Sequence, residues 1–207
     1  MELIVLGVIC YCVWVFVREA KKNKQAEEAA EAEAARQQRI KDPSSVGTEV
    51  AWTTRQGDQQ KIQELVGQLP GWPVRTPVLH TAQWLGALSQ GAGVADAAGV
   101  QKDITDQVRA NVEDAMSALS AMAVKLVSLA QYFGEDWKAL DAAVRKSLEA
   151  QAQQLNGICE AAASLHYSLG VAMVEHRGNS SSVTSVKQDL HALADAIRQI
   201  SQRDRQF

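Results

Sequence analysis

Four histidines carry most of the chain's potential for metal binding and for proton transfer at neutral pH. They are His80, His166, His176 and His191. His166 and His176 are ten residues apart, about 280° around a helix, so they cannot form a ligand pair of the i, i+4 kind. Glu160 lies six residues before His166 and Glu175 adjoins His176, and neither spacing sets an acid beside a base on one helix face. The histidines therefore predict neither a metal site nor an acid–base pair.

The remaining residues that could support covalent or phosphate chemistry are sparse. Cys10 and Cys12 lie in an apolar stretch, and Cys159 stands alone. We interpret all three as small apolar side chains, with acylation or crosslinking between subunits as the alternative. The sequence contains no G-x-S-x-G, no G-x-x-x-x-G-K and no G-x-G-x-x-G, the motifs of nucleophilic catalysis and nucleotide binding. We therefore expect a protein that is not an enzyme, with no catalytic residue, cofactor or metal ion.

The composition favours helices. Aromatic residues make up 5% of the 207 residues, and all four prolines precede residue 78. Long uninterrupted helices are therefore possible from there onward. The formal net charge of -3 argues against a nucleic-acid-binding protein, which would carry a basic excess.

An uncharged apolar run near the N-terminus predicts a transmembrane anchor over residues 1–18. As a helix, residues 3–17 would be about 22 Å long, short for a bilayer core of about 30 Å unless flanking residues snorkel or the bilayer thins. A secretory signal peptide and a buried N-terminal helix are the alternatives. The predicted anchor residues are Leu3, Ile4, Val5, Leu6, Val8, Ile9, Val13, Trp14, Val15, Phe16 and Val17.

The basic residues follow the apolar run rather than precede it. They are Arg18, Lys21, Lys22 and Lys24. By the positive-inside rule, this order predicts a single-pass protein with its N-terminus outside and its C-terminal part in the cytoplasm. Residues 19–43 are charged and alanine-rich, which predicts a solvated helical stalk without a core face.

Residues 44–99 form a segment rich in tryptophan and proline, for which we predict loops and short helices. One short helix is expected at about 57–68, and a second from Pro77 or Val78 to the glycines at 91–93. Trp52, Trp72 and Trp84 either pack against the end of a bundle or offer a partner an aromatic surface. Together with Trp137, they are the candidate contacts to protein partners.

Residues 100–207 carry three apolar seams with alternating spacings of three and four, which predict a three-helix bundle. The first seam runs from Val112 to Phe133, the second from Trp137 to Ala172, and the third from Val183 to Ile200. The first two helices would be about 51 and 64 Å long. We expect an all-α protein with a transmembrane helix, a stalk, and an elongated antiparallel bundle made of a long helical hairpin and a C-terminal helix.

These features together predict a membrane-anchored helical scaffold or tether in a membrane-associated multiprotein assembly. Its partners would be the lipid bilayer and other protein subunits, in a homo- or hetero-oligomer, and no nucleic acid. The alanine-rich composition and the short anchor favour a bacterial or phage origin. The alternative functions are a membrane-linked signalling or regulatory module, and an envelope-exposed helical protein of a secretion or lysis system.

Overall fold

The computed structural model describes residues 42–175 and 180–203. The predicted anchor, its four basic flanking residues and nearly all of the predicted stalk lie outside these ranges. Residues from Pro43 onward form one compact unit. Its helices are α1 (Pro43–Gln56), α2 (Gln59–Gly67), α3 (Arg75–Ala97), α4 (Lys102–Phe133), α5 (Ala142–Glu175) and α6 (Ser180–Arg203), with a 3-10 turn at Trp137–Ala139. The described residues contain no strand, which confirms the prediction of an all-α protein.

Four of these helices, α3 to α6, form a bundle around the main core. Helix α3 packs against both α4 and α5, and α6 also packs against both, whereas α4 and α5 touch at few positions. Thr81 Oγ1 of α3 donates to the carbonyl of Leu155, 3.0 Å away, and Gly91 contacts His166 further along α5. Helices α3 and α5 therefore run in the same direction, on adjacent sides of the bundle.

The long hairpin predicted from residues 100–133 and 135–177 does not form as a packed pair. Helices α4 and α5 lie diagonally across the bundle, with α3 on one side and α6 on the other. The bundle thus takes its fourth helix from the segment predicted to be loop-rich. A seam of alternating spacing shows that a helix buries one face, but it does not show which helix covers that face, and α3 contributes a buried row that ends at Ala92 and Ala95.

Helix α3 continues for 23 residues through its three glycines, to Ala97, beyond the predicted end at 91–93. Gly86 and Gly91 lie at close contacts. A Cβ atom at Gly86 would be 3.0 Å from the carbonyl oxygen of Thr54, and one at Gly91 would be 3.2 Å from Nδ1 of His166. The glycines therefore let α1 and α5 approach α3 closely, and this packing offsets their low helix propensity.

Helices α1 and α2 cover the outside of the bundle. Helix α1 packs across α3 and α4, and α2 packs mainly on α3. Gly57, with a φ of 65°, ends α1 in the left-handed region that glycine tolerates. Asp58 then caps α2, since its Oδ1 accepts from the amide of Lys61 at 3.2 Å. The short helix predicted at about 57–68 is confirmed by α2.

The connection between α4 and α5 is longer than the sequence predicts. Helix α4 ends at Phe133, and Gly134 follows it with a φ of 80°, as expected. The acidic start predicted at Glu135 instead begins a 3-10 turn, because Asp136 accepts from the amide of Lys138 and Leu140 is extended. Asp141 then accepts from the amide of Ala143 at 2.7 Å, and α5 begins there.

Within residues 42–175 and 180–203, two helices, α4 and α5, are long and apolar enough to cross a membrane when judged by length and composition. Both also supply the bundle core. Leu119 and Leu126 of α4, and Ile158 and Leu165 of α5, are fully buried against neighbouring helices. Core helices of a bundle have the same length and composition as membrane spans, so this measure does not distinguish the two.

Candidate interaction surface

Two of the four candidate tryptophans pack at the end of the bundle where α4 ends and α3 begins. Trp72 is 2% exposed, and its indole Nε1 donates to the carbonyl of Glu135 at 2.8 Å. The ring of Trp137 is tilted against that of Trp72, with 5.7 Å between the centroids. Since Trp72 is covered within its own chain, its role in this structure is to pack the bundle end.

Trp52 occupies a different setting, on the outside of α1. Its side chain is 47% exposed and borders an open groove between α1 and α4 that also includes Thr48, Ser117 and Ser120. Arg55, one turn further along α1, pairs with Glu113 of α4 through two hydrogen bonds. The groove is therefore lined by both polar and apolar side chains and is crossed by an ion pair.

Trp84 lies on α3, where that helix meets α5. It is 38% exposed, and its ring is 5.9 Å from that of His166. The Nδ1 atom of His166 is buried without a hydrogen-bond partner, against the close approach of Gly91. Trp84 and His166 thus form a mixed aromatic contact at the boundary between the two helices, partly open to solvent.

The stretches of α3 and α5 that form this contact contain no charged residue. No Asp, Glu, Lys or Arg occurs in residues 76–95 of α3 or in residues 161–174 of α5. We call the solvent-facing side chains of these two stretches the uncharged face. Four of the seven large apolar or aromatic side chains that are exposed in the described residues lie on it: Trp84, Val94, Tyr167 and Val174. Large exposed apolar side chains gathered on one face are typical of interaction surfaces.

The α5 part of the uncharged face has a regular order. Ala163, Tyr167, Gly170 and Val174 follow one another at spacings of four, three and four, so they form an outward seam of the coiled-coil type. Tyr167 is 75% and Val174 85% exposed, and a Cβ atom at Gly170 would meet nothing within 4 Å. The seam therefore alternates large side chains with open positions, and no helix of the described residues covers it.

The described residues bring no acid–base or nucleophilic group together. Ser164 and Ser168 of α5 both donate to Asp189 of α6, which is a serine and carboxylate cluster without a histidine. Burial, aided by the charge of Glu160, raises the pKa of the Cys159 thiol, so this cysteine is a poor nucleophile. No group of three or more metal-ligating side chains occurs in residues 42–175 and 180–203.

Comparison of the chain with protein-family models, with curated proteins and with solved structures finds no match. The structure is that of an all-α bundle in which uncharged stretches of two parallel helices, α3 and α5, lie side by side. Trp84 was a candidate contact from its residue type. Val94, Tyr167 and Val174 were not, although the absence of charge along 76–95 and 161–174 could have indicated them.

Proposed function

We propose that this protein is a membrane-anchored scaffold or tether subunit of a multiprotein assembly, without catalytic activity. In this proposal, residues 3–17 hold it in the bilayer, and the four basic residues that follow keep the bundle in the cytoplasm. The bundle then presents its uncharged face to other protein subunits. The apolar run at the N-terminus and the order of the charges after it support the anchored part of the proposal.

The observation that carries the proposal is the exposed seam of α5. A solvent-facing row that alternates Tyr167 and Val174 with Ala163 and Gly170 has the pattern that receives another helix. An isolated surface helix would have polar side chains at these positions. The described residues offer no comparable arrangement for catalysis, so a protein contact is the function that this geometry supports best.

A gentle-detergent purification of the tagged full-length protein from its own cells tests the proposal. We expect a native mass above that of the monomer, or other proteins that co-purify in fixed stoichiometry. Tyr167→Arg should abolish that association, because an arginine would bring an unpaired charge into an apolar contact. Ser128→Arg, at an exposed position of α4 outside the groove beside Trp52, is the matched control. A monomer without companions, unaffected by Tyr167→Arg, would overturn the scaffold role.

A further inference from the structure

We propose that the uncharged face binds a second copy of this chain, with α5 packed antiparallel on α5 of the partner copy about a two-fold axis. This inference rests on the proposed scaffold function and names its partner. Two features carry it: the alternation of large and small residues in the outward seam of α5, and the absence of charged residues from 161–174, the stretch of α5 that contains the seam.

The seam is complementary to itself in the antiparallel direction. In an antiparallel pair, residues face each other when their numbers add to a constant. If Tyr167 faces Gly170 of the partner copy, then Ala163 faces Val174 of the partner copy, because both pairs have the same sum. In both of these pairs, an exposed large side chain thus meets a small residue of the other copy. A parallel pair would set Tyr167 against Tyr167 and leave the glycine layer empty.

The space and the accessibility required for this contact are present. A Cβ atom at Gly170 would have no neighbour within 4 Å, so the partner's Tyr167 can occupy that position. Tyr167 and Val174 are among the most exposed large side chains of the described residues, so binding requires no opening of the bundle. Association would bury apolar area that the single bundle leaves in water.

The distribution of charge favours a second copy over a membrane surface. Acidic residues outnumber basic ones in the described residues, and identical faces that carried net charge would repel each other on meeting. The uncharged face avoids this repulsion. It also lacks the lysines and arginines by which an interfacial helix binds anionic headgroups. Its glutamines and serines, which include Gln83, Gln90 and Ser164, are suited to the rim of a protein contact.

The antiparallel arrangement determines where the first helix of each copy begins. Gly47 of α1 lies beside Ser120 and Val124, in the half of α4 nearer Phe133. Pro43, at the start of α1, is therefore near one end of the bundle. Because the two bundles run in opposite directions, the two Pro43 residues lie toward opposite ends of the dimer.

Cysteine crosslinking of the full-length protein in mild detergent tests this arrangement. Cys10, Cys12 and Cys159 are first replaced by serine, and the double variant Ala163→Cys with Val174→Cys is then oxidised. Within one chain these positions are about 16 Å apart, beyond the roughly 7 Å between Cα atoms that a disulfide permits. We expect disulfide-linked dimers from the double variant. Neither single variant should crosslink, because the same position in the two copies would also be about 16 Å apart. Ser117→Cys with Ser128→Cys, eleven residues apart and exposed on α4, is the matched control.

The native mass of Tyr167→Arg provides the second readout. We expect the wild-type protein to have the mass of a dimer. The variant should dissociate, with a dissociation constant higher by on the order of tenfold or more and an unchanged helical signal in circular dichroism. A dimer that persists in Tyr167→Arg, or crosslinks equally through Ser117 and Ser128, would place the contact elsewhere and overturn the inference.

Two further outcomes distinguish this inference from the broader proposal. A monomer whose companion proteins are lost with Tyr167→Arg would refute the second copy and retain the scaffold function with a different partner. A monomer in which the lipid of reconstituted vesicles shields a cysteine placed at Val174 from a water-soluble thiol reagent would assign the uncharged face to the bilayer, and would also refute the second copy.

Discussion

Trp72 links the loop that precedes α3 to the loop that follows α4. Its indole N–H donates to the carbonyl of Glu135, and its ring packs on Trp137. Trp72→Phe keeps most of the apolar contact but removes the donor. We expect it to lower the free energy of unfolding by about 1–3 kcal/mol, measured by urea denaturation followed by circular dichroism. Trp52→Phe, at an exposed site, should stay within about 0.5 kcal/mol. Equal effects of the two variants would mean that the hydrogen bond and the packing of Trp72 add no specific stability.

The ion pair between Arg55 and Glu113 should make stability depend on pH. Hydrogen bonding from Arg55 holds the pKa of Glu113 below its ordinary value. The stabilisation is therefore fully present above the ordinary pKa of a glutamate and is lost as the pH falls through the lowered pKa of Glu113. Both side chains are about half exposed, so Glu113→Gln should cost less than about 1 kcal/mol at pH 7.

The measurement is the free energy of unfolding of wild type and Glu113→Gln at pH 7 and at pH 3. The difference between the two proteins should shrink at the lower pH, because protonation of Glu113 weakens its pairing with Arg55. Asp114→Asn, at the adjacent exposed carboxylate, is the control and should show little difference at either pH. A cost for Glu113→Gln that is equal at pH 7 and pH 3 would show that the carboxylate charge is irrelevant.

At the scale of the element, the glycines of α3 differ in whether another helix lies close to them. A Cβ atom at Gly86 would lie 3.0 Å from the carbonyl oxygen of Thr54 and 3.1 Å from Cα of Gly57. Both neighbours are backbone atoms, so Gly86→Ala must separate α1 from α3. We expect it to reduce stability by about 1–3 kcal/mol. At Gly93 a Cβ would meet nothing within 4 Å, so Gly93→Ala should add about 0.5–1 kcal/mol.

Thermal denaturation of the two variants and the wild type under the same conditions checks that the two substitutions change stability in opposite directions. Both substitutions add one methyl group to the same helix, so propensity contributes equally to each. The loss of stability expected for Gly86→Ala is therefore due to the proximity of α1. If Gly86→Ala proved as stabilising as Gly93→Ala, that result would contradict the close contact between α1 and α3 at Gly86.

Apolar periodicity was sufficient to predict the helices that bury large side chains. Val112, Leu119 and Leu126 of the first predicted seam are buried, as are Leu190 and Leu193 of the third. The signal weakened where small residues make the contact. In α3, alanines and glycines stand at the interface. The sequence therefore predicted that the helix ends at the glycines of 91–93, although tertiary packing sustains it to Ala97.

At the scale of the whole molecule, the sequence could not predict how the helices are paired. A buried seam is compatible with any apolar neighbour, and the expectation of a hairpin assumed that consecutive helices touch. The connection from Gly134 to Asp141 instead lets α5 begin diagonally across from α4. The uncharged face follows from that arrangement, because only with α3 beside α5 do their uncharged stretches become one surface.

Membrane topology is the whole-molecule property on which the proposed function depends most. Replacing Arg18, Lys21, Lys22 and Lys24 with glutamine should weaken the orientation bias, because these are the basic residues nearest the apolar run. We expect a C-terminal reporter to show a mixed rather than a cytoplasmic location in the variant. Glutamine at four exposed lysines of the bundle, Lys61, Lys102, Lys138 and Lys146, removes the same charge far from the run and should leave the topology unchanged. A reporter that stays wholly cytoplasmic in the first variant would mean that the bundle, and not the charge next to the anchor, sets the orientation.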